Sequence, residues 1–171
     1  MTAAKINHDP WPPPPELKVD GVVLVEMEPG HVDRIVEIEN ESFPIPWEPE
    51  AFEHDIEGNE LAHYWILEKD GEIIGYAGIW LIDTLAHLTT ICIEQNHRGL
   101  GLGRWLLLEV MRLGADLGAK RFTLEVRESN DNAIKLYESV GYRVAGRREK
   151  YYKEINEDAL VMWTGSEPYR D

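Results

Sequence analysis

The stretch Ile91–Leu107, ICIEQNHRGLGLGRWLL, runs from an apolar strand pattern through three glycines spaced two apart into a helix pattern. Leu102, Leu106, Val110, Leu113 and Leu117 recur at spacings of three and four, which predicts one helix over 101–117 with a single apolar stripe. Between strand and helix stand Gly99, Gly101 and Gly103, flanked by Arg98 and Arg104. Bare backbone amides at a helix N-terminus suit an anion such as a pyrophosphate. A nucleotide-hydrolysing phosphate loop would close on Gly-Lys-Ser/Thr, and here Gly103 is followed by Arg104 and Trp105. A dinucleotide fold needs G-x-G-x-x-G in its first βαβ unit. This loop reads G-x-G-x-G and comes after four strand-like runs. Taken alone, it also reads as a turn that lets strand and helix pack closely.

The flanking segments decide the fold class. Upstream, VVLVEM (Val22–Met27) reads as a strand and Pro29–Glu41 as a helix, with Val32, Ile35, Val36 and Ile38 near one face. SFPIPW (Ser42–Trp47) breaks that helix with two prolines, and a short helix follows over Glu48–Glu57. HYWILE and IIGYAGIWLI, joined by KDGE, form a predicted hairpin, and HLTTICI adds a further strand. Downstream lie the strand RFTLEV, a helix over Asn130–Ser139 closed near Gly141, and the strands YRVAGRREKYY and DALVMW. Antiparallel strands thus precede one βαβ-like segment. That predicts a mixed α/β (α+β) fold with a mostly antiparallel sheet rather than regular alternation.

Composition narrows the function classes. A chain of 171 residues is long enough for one sizeable core. With 32 acidic and 17 basic residues the formal charge is −15, which repels nucleic-acid phosphates and anionic membranes and favours a basic protein partner. The single cysteine, Cys92, excludes an internal disulfide and fits a reducing cytoplasm. The N-terminus has no signal-peptide core, and no segment approaches the ~20 apolar residues of a membrane span. Pro10 and Pro12–Pro15 predict an extended arm over residues 1–20, ahead of a domain over 21–171. The six histidines show no metal-ligand spacing.

LEVRESNDNAIKLYESVGY (Leu124–Tyr142) follows the glycine loop, and a later Tyr151–Tyr152 pair follows that. Together with ICIEQNHRGLGLGRWLL these motifs resemble the GCN5-related N-acetyltransferases (GNAT), and within them the RimI type, the ribosomal-protein alanine N-acetyltransferases. The resemblance spans about Val22 to Trp163. It implies splayed central strands, acetyl-CoA as acetyl donor and no metal.

It also assigns residues. Arg98, Gly99, Leu100, Gly101, Leu102, Gly103 and Arg104 match the family's pyrophosphate loop. The backbone of Ile91, Cys92 and Ile93 matches its pantetheine-binding strand, and Asn130 a further cofactor contact. Glu125 falls on the general base and Tyr137 on the general acid. Phe43, Pro44 and Trp47 resemble the wall of the peptide entrance, with Ile45 and Pro46 inserted. Tyr151 and Tyr152 resemble residues that bind the peptide backbone, on a hairpin whose connection, KEINED, is shorter than usual.

Those types suit the chemistry. An α-amine with a pKa of about 7.7–8.0 must lose a proton before it attacks a thioester, and a carboxylate can take it. A phenol can protonate the leaving thiolate. On spacing alone Glu125 reads as a solvent-facing strand residue, Tyr137 as a core aromatic and Cys92 as packing. His87 is a candidate substrate contact. The expected substrate is a protein N-terminus, a basic ribosomal protein among the candidates. A small-molecule amine, a lysine, or a non-catalytic acyl-CoA-binding role remain as alternatives. The sequence leaves the oligomeric state open.

Overall fold

The computed structural model describes residues 13–165. Pro10 and Pro12 of the predicted arm lie outside the described residues. Pro13–Leu17 carry neither helix nor strand, and Leu17 and Val19 already pack against the main core.

The order is β1 (Val22–Glu26), α1 (Val32–Ser42), α2 (Pro49–Gly58), β2 (Ala62–Lys69), β3 (Glu72–Ile82), β4 (Leu85–Ile93), α3 (Leu102–Asp116), β5 (Arg121–Arg127), α4 (Asp131–Ser139), β6 (Arg143–Tyr152) and β7 (Glu157–Gly165). The strands form one sheet in the order β1-β2-β3-β4-β5-β7-β6. All neighbours are antiparallel except β4 and β5. Among the described residues no helix is long and apolar enough to cross a membrane.

Each sheet face carries a core. Leu102, Leu106, Val110 and Met111 of α3 bury against Ile79, Leu88, Phe122 and Leu124. On the opposite face Ile35 and Ile38 of α1 and Phe52 of α2 close over Ile66 and Tyr76. The stripe of α3 is rotated from the one its leucine spacing predicts. Leu107, Met111 and Gly114 belong to it, whereas Leu113 is half-buried and Leu117 is 48% exposed. Leu117 is the helix C-cap, and the chain turns away at Gly118, whose φ is +111°.

One irregularity prepares the site. The β3–β4 register shifts between Gly78 and Ile79, leaving Thr89 as the extra residue of a bulge. Gly78, at that shift, makes room for the Tyr64 ring, because a Cβ there would stand 2.2 Å from its Cε1. The Tyr64 ring lies across that gap and places its hydroxyl 3.1 Å from Thr89 Oγ1. The same hydroxyl donates to Asp55 Oδ2 at 2.7 Å, and Trp80 Nε1 donates to that oxygen at 2.8 Å.

A second buried phenol is not so served. The Tyr142 hydroxyl is enclosed and has no hydrogen-bond partner among the described residues. A buried donor left unsatisfied costs about 1–3 kcal/mol. Tyr142→Phe is therefore expected to raise thermal stability by about 1 kcal/mol, read as a Tm higher by about 2–4 °C. A lower Tm would reveal a partner for that hydroxyl.

Candidate active site

Strands β4 and β5 pair over only three residues each, Leu85–His87 against Arg121–Thr123. Beyond them β5 continues against β7, so the edge of Leu88–Ile93 that faces β5 has no strand partner among the described residues. The strands diverge as a V, and a cleft opens in it. One wall is Glu39, Phe43, Pro44, Ile45 and Trp47, from α1 and the α1–α2 connection. The floor is Leu88–Ile91 of β4 and Leu124–Arg127 of β5. Asn130, Tyr137 and Tyr152 close the other side. The cleft therefore gathers Phe43, Pro44, Trp47, Ile91, Glu125, Asn130, Tyr137 and Tyr152 from the residues singled out in the sequence.

Glu125 is not the solvent-facing carboxylate that strand alternation suggests. Its side chain is 12% exposed and lies between an imidazole and a guanidinium. His87 Nε2 stands 3.0 Å from Oε2, and Arg148 Nε stands 3.5 Å from Oε1. Burial pushes its pKa up, but the His87 hydrogen bond and the charges of His87 and Arg148 outweigh that and leave it below the usual carboxylate value. His87 thus meets the cleft through Glu125. It also lines an adjoining hollow with Trp80, Thr123, Val161 and Trp163.

Tyr137 is 8% exposed, and its ring packs on Tyr142 at 5.7 Å between centroids. Burial raises its pKa further above the ordinary phenol value, so the hydroxyl keeps its proton at neutral pH. Asn130 is the N-cap of α4, its Oδ1 accepting the Ala133 amide at 3.3 Å, which leaves its Nδ2 donors for the cleft. Tyr152 faces the cleft, whereas Tyr151 points outward, 47% exposed, edge-on to Tyr152 and beneath the Arg148 guanidinium. Burial and the nearby Tyr151 push the Tyr152 phenol up to about 12. The β6–β7 hairpin that carries both is tied down by Arg147, which bonds Glu128 at 2.6 Å and Asp158 at 3.2 Å.

The glycine loop sits outside the cleft lining, at the start of α3. Gly99 and Gly101 take positive φ, +81° and +79°, with open space where a Cβ would project. Gly101 is the N-cap, and among the described residues no side chain caps the helix. The first turn holds no acidic residue but does hold Arg104, so the positive helix end is left uncompensated. Leu102 anchors the turn in the core at 1% exposure, while Leu100 is 52% exposed. Gly101→Val strains the backbone and puts a branched side chain over those amides. Its Kd for CoA is expected to rise about tenfold or more, measured by calorimetry on the folded variant. An unchanged Kd would take the loop out of cofactor binding.

Three loop-side residues make contacts away from the glycines, and for Cys92 and Ile93 these agree with packing side chains and an available backbone. Arg98 does not extend over the glycines: Nε donates to Ile93 O at 2.8 Å and Nη2 to Ser42 Oγ at 3.0 Å. It satisfies the last carbonyl of β4 and braces the end of α1. The Cys92 side chain is buried in the α1–α2 core, and burial pushes its thiol pKa up, which makes it packing. The Ile93 side chain joins the α3 core, so only backbone of either residue is left to meet a ligand.

Glu39 was missed by motif reading. It lies one helical turn after Ile35 on the buried face of α1 and is 2% exposed. Oε1 accepts the Trp47 amide at 3.1 Å, and Oε2 accepts the Tyr76 hydroxyl. Burial raises its pKa above the usual carboxylate value. A carboxylate on the apolar face of a helix was the signal that could have found it.

Comparison with known proteins agrees with this geometry. Residues 32–142 match the acetyltransferase (GNAT) family. A Bacillus subtilis (strain 168) protein, named there as a candidate ribosomal protein bS18-alanine N-acetyltransferase, is 42% identical over 132 residues, 77% of this chain and 87% of that protein. The crystal structure of the ribosomal-protein-S18-alanine N-acetyltransferase from Escherichia coli superposes with a TM-score of 0.78 at 27% identity, covering 88% of this chain and 97% of that one. Arabidopsis thaliana NAA60, solved in complex with acetyl-CoA, shares the fold at 20% identity and a TM-score of 0.76, covering 84% of this chain and 98% of that one.

Proposed function

Because the chain belongs to the GNAT acetyltransferase family, we propose that it moves the acetyl group of acetyl-CoA onto the α-amine of a protein N-terminus, the alanine of ribosomal protein bS18 in particular. The observation that carries this reading is the V between β4 and β5, with Glu125 and Tyr137 lining one cleft inside it.

In this reading the backbone amides from Gly99 to Arg104 hold the pyrophosphate of acetyl-CoA, and the free edge of Ile91–Ile93 aligns its pantetheine arm. Phe43, Pro44, Trp47 and Tyr152 position the incoming peptide, and Tyr151 binds it at the mouth. Glu125, in contact with His87, takes a proton from the α-amine. The amine nitrogen then attacks the thioester carbonyl, backbone amides of β4 meeting the negative charge that develops on its oxygen. As the C–N bond forms, the C–S bond breaks and Tyr137 gives its proton to the departing thiolate. The surplus proton on the new amide nitrogen then restores the phenol, and the proton held by Glu125 leaves to solvent. The net charge of −15 suits a basic ribosomal protein, and such a target together with one thiol, buried in Cys92, fits a cytoplasmic enzyme.

Mass spectrometry tests it with paired peptides and acetyl-CoA. One begins with a free alanine and carries an internal lysine, and its twin has a blocked N-terminus. Acetylation of the free α-amine alone is expected. Modification of the blocked twin would move the assignment to lysine. No modification of either, with CoA bound, would move it to a small amine or to a non-catalytic role.

A further inference from the structure

Two carboxylates line the cleft from opposite sides, and their surroundings differ. Glu125, on β5, is matched by His87 and Arg148. Glu39, on α1, is more deeply buried, yet it makes no ion pair among the described residues and its hydrogen-bond donors are neutral, the Trp47 amide and the Tyr76 hydroxyl. A carboxylate has about four acceptor sites, so two donors leave half of them open. Burying a charge without a counter-charge is unfavourable, and neutral donors recover only part of the loss. The cleft side of Glu39 is thus set for a cation that arrives from outside.

We propose that Glu39 is the seat of the substrate's α-ammonium group. The inference rests on the N-terminal acetylation reading, in which the group entering this cleft is a primary amine. At neutral pH that amine is mostly protonated, so it arrives as a cation. Glu39 holds the charged form, and Glu125 with His87 removes the proton. The Trp47 amide bonded to Glu39 makes the cation seat and the peptide wall one unit. Burial also raises the proton affinity of Glu39, as expected of a carboxylate without its cation.

The test compares two peptides that differ only in that charge: an alanyl tetrapeptide and its des-amino twin, with propionyl in place of alanyl. Calorimetry on the CoA-saturated protein gives both Kd values. The wild type is expected to prefer the amine about tenfold or more, the range of a charge-assisted hydrogen bond. Glu39→Gln keeps the size and a carbonyl acceptor for the Trp47 amide, and is expected to bring the twins within about twofold of each other while CoA affinity holds. Tyr76→Phe removes a neutral donor, leaves the carboxylate, and is expected to retain the preference. Equal weakening of both twins by Glu39→Gln would assign Glu39 a purely structural role and overturn the inference. So would a wild type that binds the twins equally, whether or not the variant folds. Such a wild type that still acetylates the alanyl peptide overturns the cation seat alone. One that neither acetylates it nor discriminates overturns the N-terminal reading as well.

Discussion

Glu125→Gln is expected to lower kcat/KM for an alanyl peptide by about 10²–10⁴-fold, the usual worth of a positioned general base, while the Kd for acetyl-CoA stays within about twofold. Glutamine keeps the volume and can still meet His87, so the cleft keeps its shape. It cannot accept the amine proton. Its position on β5, against Val161 of β7, leaves the unpaired edge of β4 untouched. Stopped assays with and without saturating peptide separate the two terms. A full rate in the variant would remove Glu125 from the proton path, and a parallel loss of acetyl-CoA affinity would recast it as a structural residue.

The pH dependence follows from the same contacts. Burial works against ionisation of Glu125, but His87 and Arg148 prevail and its pKa lies below the ordinary value. Its contribution to stability is present above the unfolded value of about 4.3 and is lost as pH falls through the lower folded value. Glu125 is therefore ionised throughout the neutral range. The peptide binds as its ammonium, so kcat/KM is expected to fall as pH rises through its α-amine value of about 7.7–8.0, and the fall is expected to move when a peptide with a different amine pKa is used. Gln at position 125 would lower the whole curve without moving that midpoint.

Tyr137→Phe has the second large expected effect, a drop in kcat of about 10²-fold at unchanged acetyl-CoA affinity. The ring that packs on Tyr142 is retained, so the core between α4 and the sheet should hold and the melting temperature should stay close to wild type. What is lost is a hydroxyl that burial keeps protonated inside the cleft, the state a general acid needs. Unchanged turnover would take Tyr137 out of the acid role. A matching fall in cofactor affinity would make it a binding residue instead.

The order of elements was legible because local signals mark their ends: two prolines after α1, the KDGE turn between β2 and β3, and Asn130 opening α4. The residues proposed for cofactor binding and proton transfer came from motif resemblance, which acts position by position. What neither source could supply was pairing at a distance. His87 and Glu125 are 38 positions apart and meet only because β4 and β5 run side by side before they part. Arg98 reads as a loop cation, and nothing local foretells that its Nε donates to the carbonyl of Ile93 and its Nη2 to the hydroxyl of Ser42. Glu39 reads as one acidic residue among 32 until Tyr76 and Trp47 are seen to enclose it.

The bulge at Thr89 acts as a change of phase within β4. Side chains alternate along a strand, so two positions separated by an odd number belong on opposite faces. Leu88 and Ile91 break that parity: three apart, both meet the α3 core, and Cys92 accordingly falls on the α1–α2 side with Tyr76. Drawing Thr89 into regular alternation, with the bulge smoothed out, would keep the strand's apolar composition yet invert its second half. Ile91 and Ile93 would exchange places with Cys92, the thiol would enter the α3 core, and the backbone edge offered to the cleft would be displaced by one step. The bulge in this protein is thus part of the site's wiring, and its one unpaired residue decides which face the strand's far end serves.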